Sequence, residues 1–234
     1  MTAERPDHPT HHEKSTLTGQ GTDYLTRLRE KLIHFVPSRI KGSHPDAAVL
    51  IALTDDPFDP EVILTRRASH LSSHSGQVAF PGGMRDKTDR NLKHTALRES
   101  EEEVAMPPEC VEIIGKLNQV VSHMGVRVTP WVGIVPADIE LTPNEDELDA
   151  IFRVPLSFFL RDERHHTDVI PLEKRAIYVP CYHFDEFVIW GLSAMMLVDL
   201  LDTGLEANIS LTKAPEPGSP LRHLEPSKHR RVSE

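Results

Sequence analysis

The chain has 234 residues, of which 38% are hydrophobic and 26% charged, an ordinary balance for a globular protein able to bury a core. Lys+Arg 26 against Asp+Glu 36 gives a formal charge of −10, which excludes the broad basic footprint of a nucleic-acid binder but leaves phosphate substrates open, because a metal ion can supply positive charge. Two cysteines, Cys110 and Cys181, exclude a disulfide framework and a four-cysteine zinc site.

Residues 1–20 are polar, with Pro6, Pro9 and three scattered histidines, and read as a loose N-terminal tail. They hold no apolar run of the kind a secretory signal needs. In the segment 21–45, Leu25, Leu28, Leu32 and Phe35 recur on one helical face that ends at Pro37, which predicts a packing helix and linker. From residue 46 the period shortens. AAVLIAL (47–53) and EVILTRR (61–67), joined by TDDPFDP, read as a hairpin. QVAFPGG (77–83) reads as a short strand ending in a break, and 89–104 as a helix stopped by Pro107 and Pro108. Strands are expected at 111–117, 126–136, 150–156, 176–184 and 187–191, and a closing helix at 192–201. Residues 203–234, with four prolines among polar residues, read as a loose C-terminal tail. The main domain is thus expected over 46–202, with an α/β (α+β) fold of helices layered on a sheet. The longest purely apolar run falls far short of the ~18 residues of a membrane span. No membrane association is expected, and a cytoplasmic protein is the default.

The helix over 89–104 carries the chemistry. At about 100° per residue, Glu102 lies roughly 60° to one side of Glu99 and Glu103 roughly 40° to the other. Three carboxylates therefore share one face, and Glu101 points away. Like charges at this spacing repel one another. Either they form a solvated acidic face or a hard divalent cation holds them. The glycines Gly82 and Gly83 precede them and allow backbone to approach a ligand closely. Arg98 can bridge the acidic groups.

The segment 82–108 resembles the Nudix box, G-x5-E-x7-R-E-U-x-E-E-x-G-U with U a bulky apolar residue. Arg98-Glu99, Glu102-Glu103 and Met106 match it. Counting forward from Gly83 puts Asp89 in the first Glu position; counting back from Arg98 puts Arg90 there, so the box is one residue longer. Ser100 replaces an apolar residue and Ala105 the late glycine. Upstream, ILTRRASHLSSHSGQVAFPGG (63–83) resembles the signature of the coenzyme A pyrophosphatase branch, L-L-T-x-R-[SA]-x3-R-x3-G-x3-F-P-G-G. Thr65, Arg67, Ala68, Gly76, Phe80, Pro81, Gly82 and Gly83 match, and Ser72 stands where the branch carries arginine. Asp86 and Asp89 match the branch's GGxxDxxD spacing.

The resemblance implies an α/β/α sandwich on a mixed sheet and a metal-dependent hydrolase. It implies Glu99, Glu102 and Glu103 as ligands of Mg²⁺ or Mn²⁺, with Arg98 orienting them. Arg67, Gly82 and Gly83 would meet the substrate, a small-molecule diphosphate of the coenzyme A type. Coenzyme A or its thioesters would be split into 3′,5′-ADP and (acyl-)4′-phosphopantetheine. Glu99 and Glu147, the latter in the acidic stretch 145–147, are both candidates for general base. Two other readings stay open: a Nudix hydrolase of ADP-ribose or another nucleoside diphosphate derivative, and a Nudix-fold binding module without catalysis. A monomer or a homodimer fits equally. His70, His74, His94 and His123 receive no role from the resemblance and read as surface or packing histidines. Cys110 and Cys181 read as core or near-core thiols, and Trp131 and Trp190 as core residues rather than stacking platforms.

Overall fold

In the computed structural model, residues 23–71, 76–172 and 175–225 are described. The expected N-terminal tail, together with Ser72 and His74, lies outside them.

The first helix, α1 (Tyr24–His34), begins where Asp23 accepts a hydrogen bond from the Thr26 amide, a side-chain cap. Its Leu25, Leu28 and Leu32 are fully enclosed. Next come β1 (Asp46–Thr54) and β2 (Glu61–Arg67), paired antiparallel as the hairpin expected. β3 (Val78–Ala79) pairs with β2 and β4 (Gly82–Met84) with β1. The single strand expected over 77–83 is therefore two pieces serving different neighbours. Its break is at Pro81, whose carbonyl accepts from the Leu50 amide, and Gly82, whose φ of +153° suits glycine.

The acidic helix, α2, runs Leu92–Val104, shorter than expected at its start because Asn91 caps it through the His94 amide. After a short 3₁₀ turn come β5 (Glu112–Lys116), β6 (Val120–Val121) and β7 (Arg127–Val135). β7 lies parallel to β1 over the whole strand, from Asp46↔Arg127 to Thr54↔Val135, which makes the sheet mixed. β8 (Leu148–Pro155) joins antiparallel to β2 and leads into α3 (Leu156–Leu160).

β1 explains the layering. Its Ala47, Ile51 and Leu53 pack in one core with α1, while Ala48, Leu50 and Ala52 pack in a second core with Ala96 and Val104 of α2. A strand buried on both faces reads as one continuous apolar run, as 47–53 does. The first core also takes α4 (Gly191–Leu205), which packs against α1. A Cβ added to Gly204 would stand 2.3 Å from a Leu28 side-chain carbon, so the two helices approach more closely there than a side chain would permit without a shift. The α/β/α sandwich expected is the fold observed.

A second sheet contains β9 (His166–Pro171), β10 (Ala176–Phe184), β11 (Phe187–Ile189) and β12 (Leu221–His223) in the order β11-β10-β9-β12; β10 and β11 are strands as expected, while β9 and β12 carry no local strand signal. β12 corrects the expectation of a loose stretch from 203. It lies parallel to β9, Arg222 pairs with Asp168 at 2.6 and 2.8 Å, and Ile209 is buried in the main core. Through residue 225 the C-terminal segment is part of the body, held by long-range pairing that no local periodicity announces. No helix among the described residues is long and apolar enough to cross a membrane.

Candidate active site

α2 lies across β4 and β1, so its last turns face the glycines that close the Phe80-Pro81 break. The Gly82 amide donates to Glu103 Oε2 at 3.0 Å. A Cβ on Gly83 would stand 2.5 Å from the Glu99 carboxyl carbon, and one on Gly82 would stand 2.4 Å from the Ala48 carbonyl oxygen. The two glycines thus let a strand edge lie directly against two carboxylates. Any side chain at Gly83 would fill the space occupied by Glu99.

Glu103 is only 6% exposed. Burial pushes its carboxyl up to about 7, and the charges of Glu147 and Glu99 push the same way, opposed by the Gly82 amide and by Arg67. Glu99 is raised too, first by burial; Arg98 opposes this, while Glu102 and Glu147 add to it. Glu147 therefore belongs to the same charge cluster as Glu99 and Glu103. Its loop is tied to the end of α2 by the Asn144 amide on the Glu103 carbonyl (2.8 Å) and the Thr142 amide on the Val104 carbonyl (3.1 Å). Its neighbours Glu145 and Asp146 stay exposed.

Arg67 stands at the end of β2, where the register with β8 shifts between Arg66 and Arg67. Such a bulge re-aims side chains. Arg66 pairs with Asp149 at 2.6 Å and lies over the Phe187 ring. Arg67 instead acts on Glu103, and its buried Nε has no hydrogen-bond partner among the described residues.

Arg98 holds the acidic groups in place. Its Nε and Nη2 donate to the two oxygens of buried Asp89 at 3.0 and 3.1 Å, Nη1 to Glu102 at 2.8 Å, and Nη2 also to Glu99 at 2.8 Å and to the Met84 carbonyl at 3.3 Å. Asp89, the residue reached by counting forward from Gly83, is an anchor and not a member of the cluster. Its carboxyl sits well below the ordinary carboxylate range, first because of Arg98, with His94 and the Asp86 amide adding to it. His94 therefore bonds within this anchor, at 2.8 Å from Asp89. Glu102 is more exposed than Glu99 and Glu103 and is taken up by Arg98.

The box departures have local reasons. Ser100 is buried, and its hydroxyl is satisfied by the Ala96 carbonyl at 2.8 Å. Ala105 adopts the left-handed conformation that favours glycine (φ 55°), closing the helix through the Glu101 carbonyl while Met106 reaches the Ser100 carbonyl. Cys181 is buried, but Cys110 is exposed and Trp190 partly so, against the core positions expected for them. Trp131 is half-buried, with Lys116 over its ring. The GGxxDxxD spacing is the local signal for Asp89, whereas its anchoring place on Arg98 and the Asn144 tie to the end of α2 follow only from the tertiary contacts.

Among the described residues no three His, Cys, Asp or Glu groups are already gathered as a metal cage. The donor set nevertheless fits a divalent cation. Glu99, Glu103 and Glu147 crowd negative charge at a buried place; of the nearby cations Arg98 is shared among Asp89, Glu99 and Glu102, and Arg67 acts on Glu103, so three carboxylates still outnumber the charge offered to them. Hard oxygen donors short of positive charge are what Mg²⁺ and Mn²⁺ bind.

The NUDIX domain model matches residues 44–172. The uncharacterized Nudix hydrolase NudL of Escherichia coli O7:K1 is 41% identical over 178 residues, covering 76% of this chain and 91% of that protein. NudL of Enterobacter sp. strain 638 is 44% identical over the same coverage. A solved structure of a C. elegans Ap4A hydrolase binary complex is 17% identical and covers 50% of this chain and 84% of that one, with a TM-score of 0.41. With its family model matched over more than half of its length, the chain belongs to the Nudix hydrolase family.

Proposed function

We propose that this Nudix hydrolase splits the diphosphate of coenzyme A or its thioesters, giving 3′,5′-ADP and (acyl-)4′-phosphopantetheine. The observation that carries the hydrolytic reading is the buried Glu103, bonded to the Gly82 amide and crowded by Glu99 and Glu147. The substrate reading rests on the similarity of residues 63–83 to the coenzyme A pyrophosphatase signature.

Glu99, Glu102 and Glu103, joined by Glu147 from the loop, are the residues that would hold Mg²⁺ or Mn²⁺. Such an ion, when bound, neutralises phosphate charge and makes water more acidic. The protein's own groups do the rest. Arg67, with its unpartnered Nε, offers a donor to a substrate phosphate oxygen. Gly82 and Gly83 present backbone without side chains. Arg98 is a positioning residue that fixes Glu99 and Glu102 relative to Asp89. Glu99 or Glu147 takes the proton from the attacking water, and positioning and electrostatics supply most of the rate.

Product analysis with coenzyme A, 3′-dephospho-coenzyme A and ADP-ribose, each with Mg²⁺ or Mn²⁺, tests this. Release of 3′,5′-ADP from coenzyme A with the highest kcat/KM of the three is expected. A clear preference for ADP-ribose would leave the hydrolase and remove the coenzyme A assignment.

A further inference from the structure

At the other end of α2 the molecule has a cavity of about 770 Å³, bounded by the first turn of the helix, the start of β1 and the β5–β7 part of the sheet. Its volume is that of a small-molecule site. Its wall carries Arg39, Arg85, Arg90, Lys93, Lys116 and Arg127 against one carboxylate, Asp46. In a chain with ten more acidic than basic residues, that local excess runs against the whole.

Asp46 is already taken, by Arg127 Nε at 2.8 Å, and Arg127 Nη1 also reaches the Ile40 carbonyl at 3.0 Å. Arg85 Nη2 donates to the Asp89 carbonyl at 3.2 Å. Lys116 lies 5.5 Å from the Trp131 ring centroid. No ion pair or hydrogen bond joins Arg39, Arg90 or Lys93 to another described residue through its side chain. Trp131, on the same wall, has a buried indole N–H with no acceptor among the described residues.

The wall is therefore rich in donors and short of acceptors. Gathered cations repel one another, and an anion with several oxygens relieves that and meets the free donors. The helix terminus does not by itself make the site, since Asn91 caps it. We propose that this cavity binds a small phosphate-bearing anion at a site separate from the carboxylates. Lys93 and Glu103 lie about 15 Å apart along the helix, at 1.5 Å per residue. The ligand chemistry is a phosphate group, carried either by free phosphate or by a nucleotide.

Calorimetric titration of the full chain with inorganic phosphate, 3′,5′-ADP and adenosine, without divalent metal, tests the proposal. Saturable binding of a phosphate-bearing probe and none of adenosine is expected. Tighter binding of 3′,5′-ADP than of phosphate identifies a nucleotide as the carrier, and equal binding identifies the phosphate alone. The double variant Arg90→Glu/Lys93→Glu, at two exposed positions, should weaken binding at least about 10-fold with an unchanged melting temperature, equivalent to about 1.4 kcal/mol. Lys87→Glu, outside the wall, and Glu103→Gln, at the other end of the helix, should bind as the parent does. Absence of saturable binding, full binding in the double variant, or equal loss in Lys87→Glu or Glu103→Gln would overturn the proposal.

Discussion

Asp89 and Arg98 form a two-point ion pair, at 3.0 and 3.1 Å, with the Asp89 side chain wholly enclosed. Arg98 thereby reaches Glu99 and Glu102 from a fixed base. Removing one partner of a buried pair costs about 3–5 kcal/mol, because the other is left desolvated. Asp89→Asn is expected to lower the melting temperature and to reduce kcat at least about 10-fold, since Glu99 and Glu102 lose their fixed support. Parent-like melting and turnover in this variant would refute the anchoring role. The parent's contribution from Asp89 is present above the ordinary Asp pKa of about 3.9 and is lost only as pH falls further, toward the depressed folded value.

The carboxylate face of α2 makes its own prediction. Glu103→Gln keeps the shape and the Gly82 contact but removes a charge from the cluster. Turnover with Mg²⁺ should fall at least about 10², the scale of losing one preorganised electrostatic group. Glu101→Gln, at an exposed position, should change it little. Steady-state kinetics of the two variants decide; equal losses would sink the facial assignment.

Glu103 also sets a pH dependence. Its folded value of about 7 stands above that of an exposed glutamate, so the folded chain binds more protons than the unfolded one between about pH 4.5 and 7. The stability this group contributes therefore falls as pH rises through that window. Without divalent metal, melting temperature should drop between pH 5 and 7.5. Saturating Mn²⁺ should offset the drop, and Glu103→Gln should flatten it. A metal-free parent and Glu103→Gln with the same pH profile would contradict this.

Ala105 closes α2 in a conformation that costs a non-glycine residue about 1–2 kcal/mol. Glycine removes that strain and adds about 0.5–1 kcal/mol of unfolded-state entropy. Ala105→Gly should thus stabilise the chain by about 0.5–1 kcal/mol, read as a higher urea midpoint at unchanged slope. A lower midpoint would show that the cap is not strained.

Truncation separates the two ends. Removing residues 206–234 strips Ile209 and β12 from the body. Burial of one such side chain is worth about 1.5–3 kcal/mol, and at about 2–4 °C per kcal/mol the melting temperature should fall by roughly 5 °C or more. Removing 226–234 alone should leave it unchanged. Equal stability of the two truncations would show that β12 adds nothing.

Local pattern determined much of this protein. Helical spacing put Glu99, Glu102 and Glu103 on one face, the adjacent glycines marked a close backbone approach, and the apolar run at 47–53 marked a strand of a hairpin. Those signals depend on residues a few positions apart, where side-chain direction follows from helix or strand geometry alone. Tertiary structure decided which carboxylates are buried together. It brought Glu147 to Glu103 through backbone bonds from the 142–148 loop and drew Glu102 outward onto Arg98. It gave Asp89 the anchoring place, made β9 a strand, and paired β12 with it across fifty residues of chain. Each of those outcomes depends on partners distant in sequence, whose contact free energy appears only when loops close and both surfaces leave water together.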